Sequence, residues 1–275
     1  MTENKIEELC FAGACNRGIA YVGVLQKMIE LGVLDKNYLK KIIGVSIGSF
    51  ISCCFLIGYD PYELLDEIMK ADLSEFKDYM ITQSSLLKGE KYRDWVFHVI
   101  SNKIDPNIKL IDLYLLTKIN FVIITTCISS ENVSIKEGVV YLNYETFPNM
   151  PLIDALMASM SFPIVFPYVC YNGCKFIDGG VLKNFPVDLL SKNGIGVKTI
   201  FKKDKTDINT PINYILKIIE LMSQNLEQQN LNNSGGTIII NCEDFSMLDF
   251  DISNDDKYTL FKRGYDSVNE FYESF

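Results

Sequence analysis

Gly44-Val45-Ser46-Ile47-Gly48 is a G-x-S-x-G pattern, which places a serine hydroxyl where it could act as a nucleophile. Serine attacks a carbonyl only when a base beside it takes its proton. Histidine usually does so, and the chain contains one, His98, in Tyr92-Arg-Asp-Trp-Val-Phe-His-Val-Ile100. Those apolar neighbours read as packing and make His98 a core-edge residue. The carboxylate candidate is Asp178, which closes the apolar run Phe176-Ile177 and precedes Gly179-Gly180. Two glycines there allow close approach to another backbone. Ser46 with His98 would be a triad esterase, and Ser46 with Asp178 a dyad. A third segment, Gly13-Ala14-Cys15-Asn16-Arg17-Gly18, could supply backbone N–H donors to the oxyanion of a tetrahedral intermediate. Arg17 adds a fixed charge that could orient this loop or meet a phosphate. No G-K-[ST] follows, which excludes a phosphate-binding P-loop. Cys15 stands where a dinucleotide fingerprint needs its middle glycine.

These residues need elements to hold them. Leu9–Ala12 reads as a buried strand ahead of the small-residue loop, and helical periodicity follows from Ile19 to Leu31 with Gly32 as its cap. Ile42–Val45 is a second buried strand, and Ile47–Ile57 a helix apolar on all sides, so Ser46 falls on a strand-to-helix elbow. Gly44 and Gly48 permit that turn. Asp60-Pro61-Tyr62-Glu63 starts another helix with Asp60 as N-cap. Residues 71–116 predict helix and loop. Strands are predicted at Phe121–Cys127, Val139–Leu142 and Thr237–Ile240, and helices at Pro151–Met160, Pro186–Lys192 and Ile212–Gln229. Phe166–Ile177 reads as extended. Alternating strands and helices with continuous apolar runs favour a mainly parallel sheet covered on both faces, with its ligand site at the carboxyl ends of the strands.

Composition narrows the function classes. Hydrophobic residues make up 48% of 275, enough for a sizeable core. A net charge of −9 argues against a nucleic-acid partner and against standing adsorption to anionic membranes. The charges at Asp255-Asp256-Lys257 and Lys202-Lys203-Asp204 read as solvated faces. Eight cysteines lie mostly in apolar runs and read as reduced, buried thiols of an intracellular protein. Cys170-x-x-x-Cys174 is a weak ligand pair, and one histidine leaves little for a metal. The uncharged stretch Ile42–Tyr59 approaches membrane-span length, but its glycines and serines make a buried strand–turn–helix the better reading. The amino terminus carries no signal-peptide core, so the expectation is a cytoplasmic, soluble protein, peripheral at membranes at most.

With these motifs in order, the chain resembles the patatin-like phospholipase family. The resemblance rests on Phe11–Leu25, Gly44–Gly48, Ala155–Pro167 and Asp178-Gly179-Gly180, and covers residues 6–190, with 191–275 as the rest of one domain. It implies a three-layer α/β/α fold and a Ser46–Asp178 dyad that works without histidine. It also implies an oxyanion loop at Gly13, Ala14, Cys15, Arg17 and Gly18, and no metal or other cofactor. Phospholipid or another acyl-ester lipid would be the substrate, met through transient contact with a membrane surface. One departure concerns the loop, where Ala14 and Cys15 replace the second and third glycines of the family pattern. A left-handed backbone at either position would cost about 1–2 kcal/mol. Two rival readings stay open: a triad esterase using His98, and a lipid-binding protein with an altered oxyanion loop.

Overall fold

Apolar runs that bury both faces form the centre of one sheet. A computed structural model describes residues 5–81, 84–200, 236–246 and 250–273, with 214, 217, 218 and 221. Its strands are β1 (Glu8–Phe11), β2 (Lys41–Val45), β3 (Asn120–Ser130), β4 (Gly138–Leu142), β5 (Val169–Tyr171), β6 (Cys174–Asp178), β7 (Ile195–Ile200) and β8 (Gly236–Asn241). They follow the order β5-β6-β3-β2-β1-β7-β8, with β4 also paired to β3. The five strands from β3 to β8 run parallel, and β4, β5 and β6 form an antiparallel flank. Successive residues of β1 show why the runs are continuous. Leu9 and Phe11 enter the main core on one face, and Cys10 joins Ile43, Val45 and Ile124 on the other.

The helices are α1 (Ile19–Glu30), α2 (Ile47–Leu56), α3 (Pro61–Lys70), α4 (Glu90–Ser101), α5 (Leu110–Thr117), α6 (Leu152–Met160), the short α7 (Gly180–Lys183) and α8 (Asn254–Glu273). Helix α2 buries nine of its ten residues, as an all-apolar central helix must. Asp60 caps α3 as expected, its side chain accepting from the Tyr62 amide at 2.9 Å. The stretch Ile42–Tyr59 is thus strand, turn and helix. Among the described residues no helix is long and apolar enough to cross a membrane.

Several expectations change. Phe166–Ile177 is a hairpin rather than one extended segment, turning at Asn172-Gly173, both left-handed with φ 50° and 75°. Pro186–Lys192 contains only a 3-10 turn, Val187–Leu189, which covers the second face of the sheet. Strand β7 and helix α8 were not anticipated. Lys257, read as solvated, is buried at the start of α8 and donates to the carbonyls of Ile68 and Ala71 at 3.0 and 2.7 Å, closing the end of α3. The expected helix Ile212–Gln229 and the charges at 202–204 lie largely or wholly outside the described residues. All eight cysteines are free, six of them buried, and Cys170 is exposed while Cys174 is buried. The described residues hold no cluster suited to a metal ion.

Candidate active site

Strand β3 brings the two halves of the site together. Strand β4 covers positions 123–127 on one edge of β3, so β2 and β6 must share the other edge. They run toward each other along it. Strand β2 stops with Val45 opposite Ile124, and β6 stops with Asp178 opposite Thr125. Ser46 and Asp178 are therefore the residues at which two strands meet head to head. The Ser46 hydroxyl donates to Asp178 Oδ2 at 2.6 Å.

Ser46 has φ 52° and ψ −128°, a backbone state that L-residues rarely adopt and that is typical of a strained elbow. Its surroundings hold it there. The Ser46 amide donates to Ser159 Oγ at 2.8 Å, and Ser159 Oγ donates onward to the Ile124 carbonyl at 2.6 Å. The Ser49 hydroxyl and amide both donate to the Ser46 carbonyl, at 2.6 and 2.8 Å. Gly44 and Gly48 let the strand and helix close up: a Cβ on Gly44 would lie 2.3 Å from Ser49 Cα, and one on Gly48 2.6 Å from the Ala12 carbonyl oxygen.

Asp178 is 2% exposed. Burial raises its pKa from the ordinary 3.8 to about 6, opposed by the Ser46 hydroxyl and by the Gly180 amide, which donates to Oδ1 at 2.7 Å. Its own amide donates to the Ser161 carbonyl at 2.9 Å. Gly179 must be glycine because a Cβ there would sit 2.3 Å from the Ile124 carbonyl oxygen. A buried carboxylate with a pKa near neutrality can both accept a proton and give it back.

The loop before α1 forms the opposite wall. Gly13 lies against the nucleophile, since a Cβ on it would be 3.4 Å from Ser46 Cβ. Its N–H, however, donates to the Asn184 carbonyl at 3.2 Å. The next amides, those of Ala14 and Cys15, enter the 3-10 turn Cys15–Gly18, where first-turn N–H groups have no partner within the turn. Cys15 has φ 50°, the left-handed state in which a side chain is disfavoured. Burial pushes its thiol up to about 12, so it stays protonated beside Ser46. Arg17 is 2% exposed and donates from Nε to the Ala14 carbonyl at 3.3 Å. It braces the loop from behind and does not line the cavity, which leaves it out of reach of a substrate phosphate. Gly18 packs on Ile47.

A cavity with about 760 Å³ of empty space, its mouth included, opens beside Ser46. Its walls are Phe50, Phe76, Tyr92, Trp95, Phe162 and Phe166 with aliphatic residues between them, and Cys15 and Asn16 lie at the serine end. Helix α4 contributes Tyr92 and Trp95 to this wall. His98, on the same helix, is exposed and absent from the lining. It is not the core-edge residue expected, and the hydroxyl it would have to serve points at Asp178.

The sequence model of the patatin-like phospholipases matches residues 9–191. The chain belongs to that family. Its relatives include an uncharacterized protein, R571, of Acanthamoeba polyphaga mimivirus, 26% identical over 98% of this chain and 95% of that protein. The probable lipid hydrolase 463L of Invertebrate iridescent virus 6 is 26% identical over 93% of this chain and 85% of its own length. The fold is similar to that of VipD from Legionella pneumophila, with a TM-score of 0.69 and 14% identity over 99% of this chain and 67% of VipD. Membership places the chain in a family of lipid hydrolases. Within the matched region, Ser159, Ser161 and Asn184 hold the site together, yet the sequence offered them no role. The readable signal was two serines in the otherwise apolar helix end Ala155–Ser161, since buried hydroxyls need partners.

Proposed function

We propose that this patatin-like protein is a lipid acyl hydrolase of the phospholipase A or lysophospholipase type, working through a Ser46–Asp178 dyad. The 2.6 Å hydrogen bond from the Ser46 hydroxyl to Asp178, at the end of an apolar cavity, carries the reading. Asp178 takes the Ser46 proton as Oγ attacks the ester carbonyl of a lipid whose acyl chain lies among Phe50, Trp95 and Phe166. The amides of Ala14 and Cys15 hold the oxyanion, because the Gly13 amide is already engaged. Protonated Asp178 then gives its proton to the departing alkoxide, and the same carboxylate activates the water that releases the fatty acid. The N-terminal end of α2 adds its dipole to this stabilisation.

The same reading treats residues 1–275 as one domain. Supporting it, β7 and β8 extend the same sheet beyond the family match, and α8 lies across α1 so closely that a Cβ on Gly264 would fall on the Ala20 carbonyl. Eight unpaired cysteines support an intracellular setting.

A fluorophosphonate should label Ser46 alone, and mass spectrometry of the peptide holding Gly44–Gly48 locates the adduct. Label on a different serine, with Ser46 untouched, ends the proposal. Trp95 is the only tryptophan of the chain, so its fluorescence reports acyl-chain entry directly. Long-chain fatty acid should change that emission in the Ser46→Ala protein as in the parent.

A further inference from the structure

A segment paired to the cavity wall carries an apolar projection that the chemistry at Ser46 leaves unused. Tyr79, Met80 and Ile81 are consecutive and 76%, 55% and 85% exposed. Contiguous apolar surface of this kind marks a contact site. The segment that bears them is firmly held at its base. Tyr79 bridges Leu87, and the Met80 amide donates to the Leu86 carbonyl at 3.0 Å. The Asp78 carboxylate accepts from the amides of Gly89 and Glu90 at 2.9 and 3.0 Å, capping α4.

Its far side is paired to the cavity wall. The amides of Leu86 and Leu87 donate to the carbonyls of Ile164 and Val165 at 2.7 and 3.0 Å. Ile164 has φ 72°, a strained state for a β-branched residue, which these pairings hold in place. Leu87 packs with Phe166, which lines the cavity, and Phe76, three residues before Tyr79, lines it too. The exposed side chains thus stand on the wall of the acyl site.

Charge identifies the partner. The lysines around the projection are each matched to a carboxylate: Lys77 to Asp251, Lys88 to Glu90 and Lys91 to Glu75. With the chain at −9 overall and these three lysines paired, the described residues around the projection offer little to draw an anionic surface. Apolar side chains with balanced charge at their base fit a zwitterionic lipid interface. We propose that Tyr79, Met80 and Ile81 are a docking tip that inserts into the surface of a zwitterionic lipid bilayer and holds the acyl cavity against it. The proposal rests on the lipid-hydrolase reading for its occupant, but its test does not depend on turnover.

Sedimentation with phosphatidylcholine vesicles, in the Ser46→Ala protein, measures docking without product. Vesicle binding is expected that persists at high salt, and M80D/I81D should lower the partition coefficient on the order of tenfold or more, while Ile81→Leu keeps it. With Ser46 restored, M80D/I81D should melt like the parent and hydrolyse a water-soluble short-chain ester at the parental rate. Undiminished vesicle binding by M80D/I81D overturns the proposal. So does binding that requires anionic lipid and vanishes with salt. Self-association without lipid that M80D/I81D abolishes would also overturn it, since a second copy would then cover the tip. A protein that binds vesicles through the tip yet hydrolyses no ester would instead defeat the enzymatic reading and leave docking intact.

Discussion

The two walls of the site are built to different standards. On one side Ser46 and Asp178 are fixed by a run of bonds: the Ser46 amide by Ser159, its carbonyl by Ser49, its hydroxyl by Asp178, and the second carboxylate oxygen by Gly180. On the other side the loop from Gly13 to Gly18 spends its first amide on Asn184 and carries a cysteine at φ 50°. The first wall keeps the family pattern and the second departs from it. A strained serine is tolerated where three neighbours over-determine its position, and the same physics makes Cys15 the weaker point, because fewer bonds hold it. Rate should therefore depend steeply on the first wall and only gently on the second.

The largest expected effect is at Asp178. Asp178→Asn should lower kcat by about 10³ or more, as removal of a triad member does, in steady-state ester hydrolysis. In the parent, kcat/KM should fall about tenfold per pH unit below about 6, since the base must be ionised. Stability moves the other way. The folded-state pKa lies above the ordinary 3.8, so folding disfavours the charged form. That penalty is complete above about pH 6, shrinks on acidification and is gone below about pH 4. Relative to Asp178→Asn, the parent should gain about 1.4 kcal/mol per pH unit across that window, about 3 kcal/mol in all, in paired denaturant titrations. If the difference between the two proteins does not change with pH, Asp178 is not a buried carboxylate of raised pKa.

Ser159 tests whether the bonds around the elbow matter. Ser159→Ala leaves the Ser46 amide and the Ile124 carbonyl without the hydroxyl that joins them. Loss of a buried bridging hydroxyl costs about 1–3 kcal/mol. Part of that should appear in the transition state as a fall in kcat of about 10- to 100-fold with KM nearly constant. A change confined to KM would mean that the elbow holds without it.

How much of this was legible in the residues depends on distance along the chain. The elbow is local: an apolar strand, small residues and an apolar helix sit side by side, and they read correctly. Asp178 was legible as a carboxylate before two glycines. What could not be read was that β6 runs back along β3 to stop where β2 stops. That meeting follows from the hairpin at Asn172-Gly173, an Asn-Gly turn signal set inside an otherwise extended run, where both residues are left-handed. Helix α8 was missed because its Asp255-Asp256-Lys257 start looked solvated. Yet Lys257 is a buried cap for α3, its ammonium satisfied by two carbonyls that no sequence pattern announces.

On the second wall, Cys15→Gly should raise melting stability by up to about 1–2 kcal/mol by relieving the left-handed residue, with kcat kept or raised only a few-fold. Differential scanning calorimetry and steady-state kinetics on one preparation separate the two effects. A fall of about 10² or more in kcat would show that the thiol itself contributes to the site, and the contrast between the walls would collapse.

The smallest expected effect is at His98. A chain with one histidine makes the triad alternative depend on one side chain, and that side chain sits exposed on α4 while Val96 and Val99 take the buried face. Its backbone carbonyl accepts from the Ser101 hydroxyl at 2.7 Å and from the Asn102 amide, and neither bond involves the imidazole. Removing the ring therefore opens no cavity and leaves the helix bonds in place. His98→Ala should change kcat less than a few-fold and stability by no more than about 0.5 kcal/mol. The rate should keep its rise through about pH 6 if Asp178, whose pKa burial raises to about 6, is the base. That last readout discriminates most sharply, since the rise can persist without the ring only if another group is the base. If the variant stays folded but loses both its activity and that rise, the proton goes to His98 and the carboxylate beside Ser46 has a structural part only.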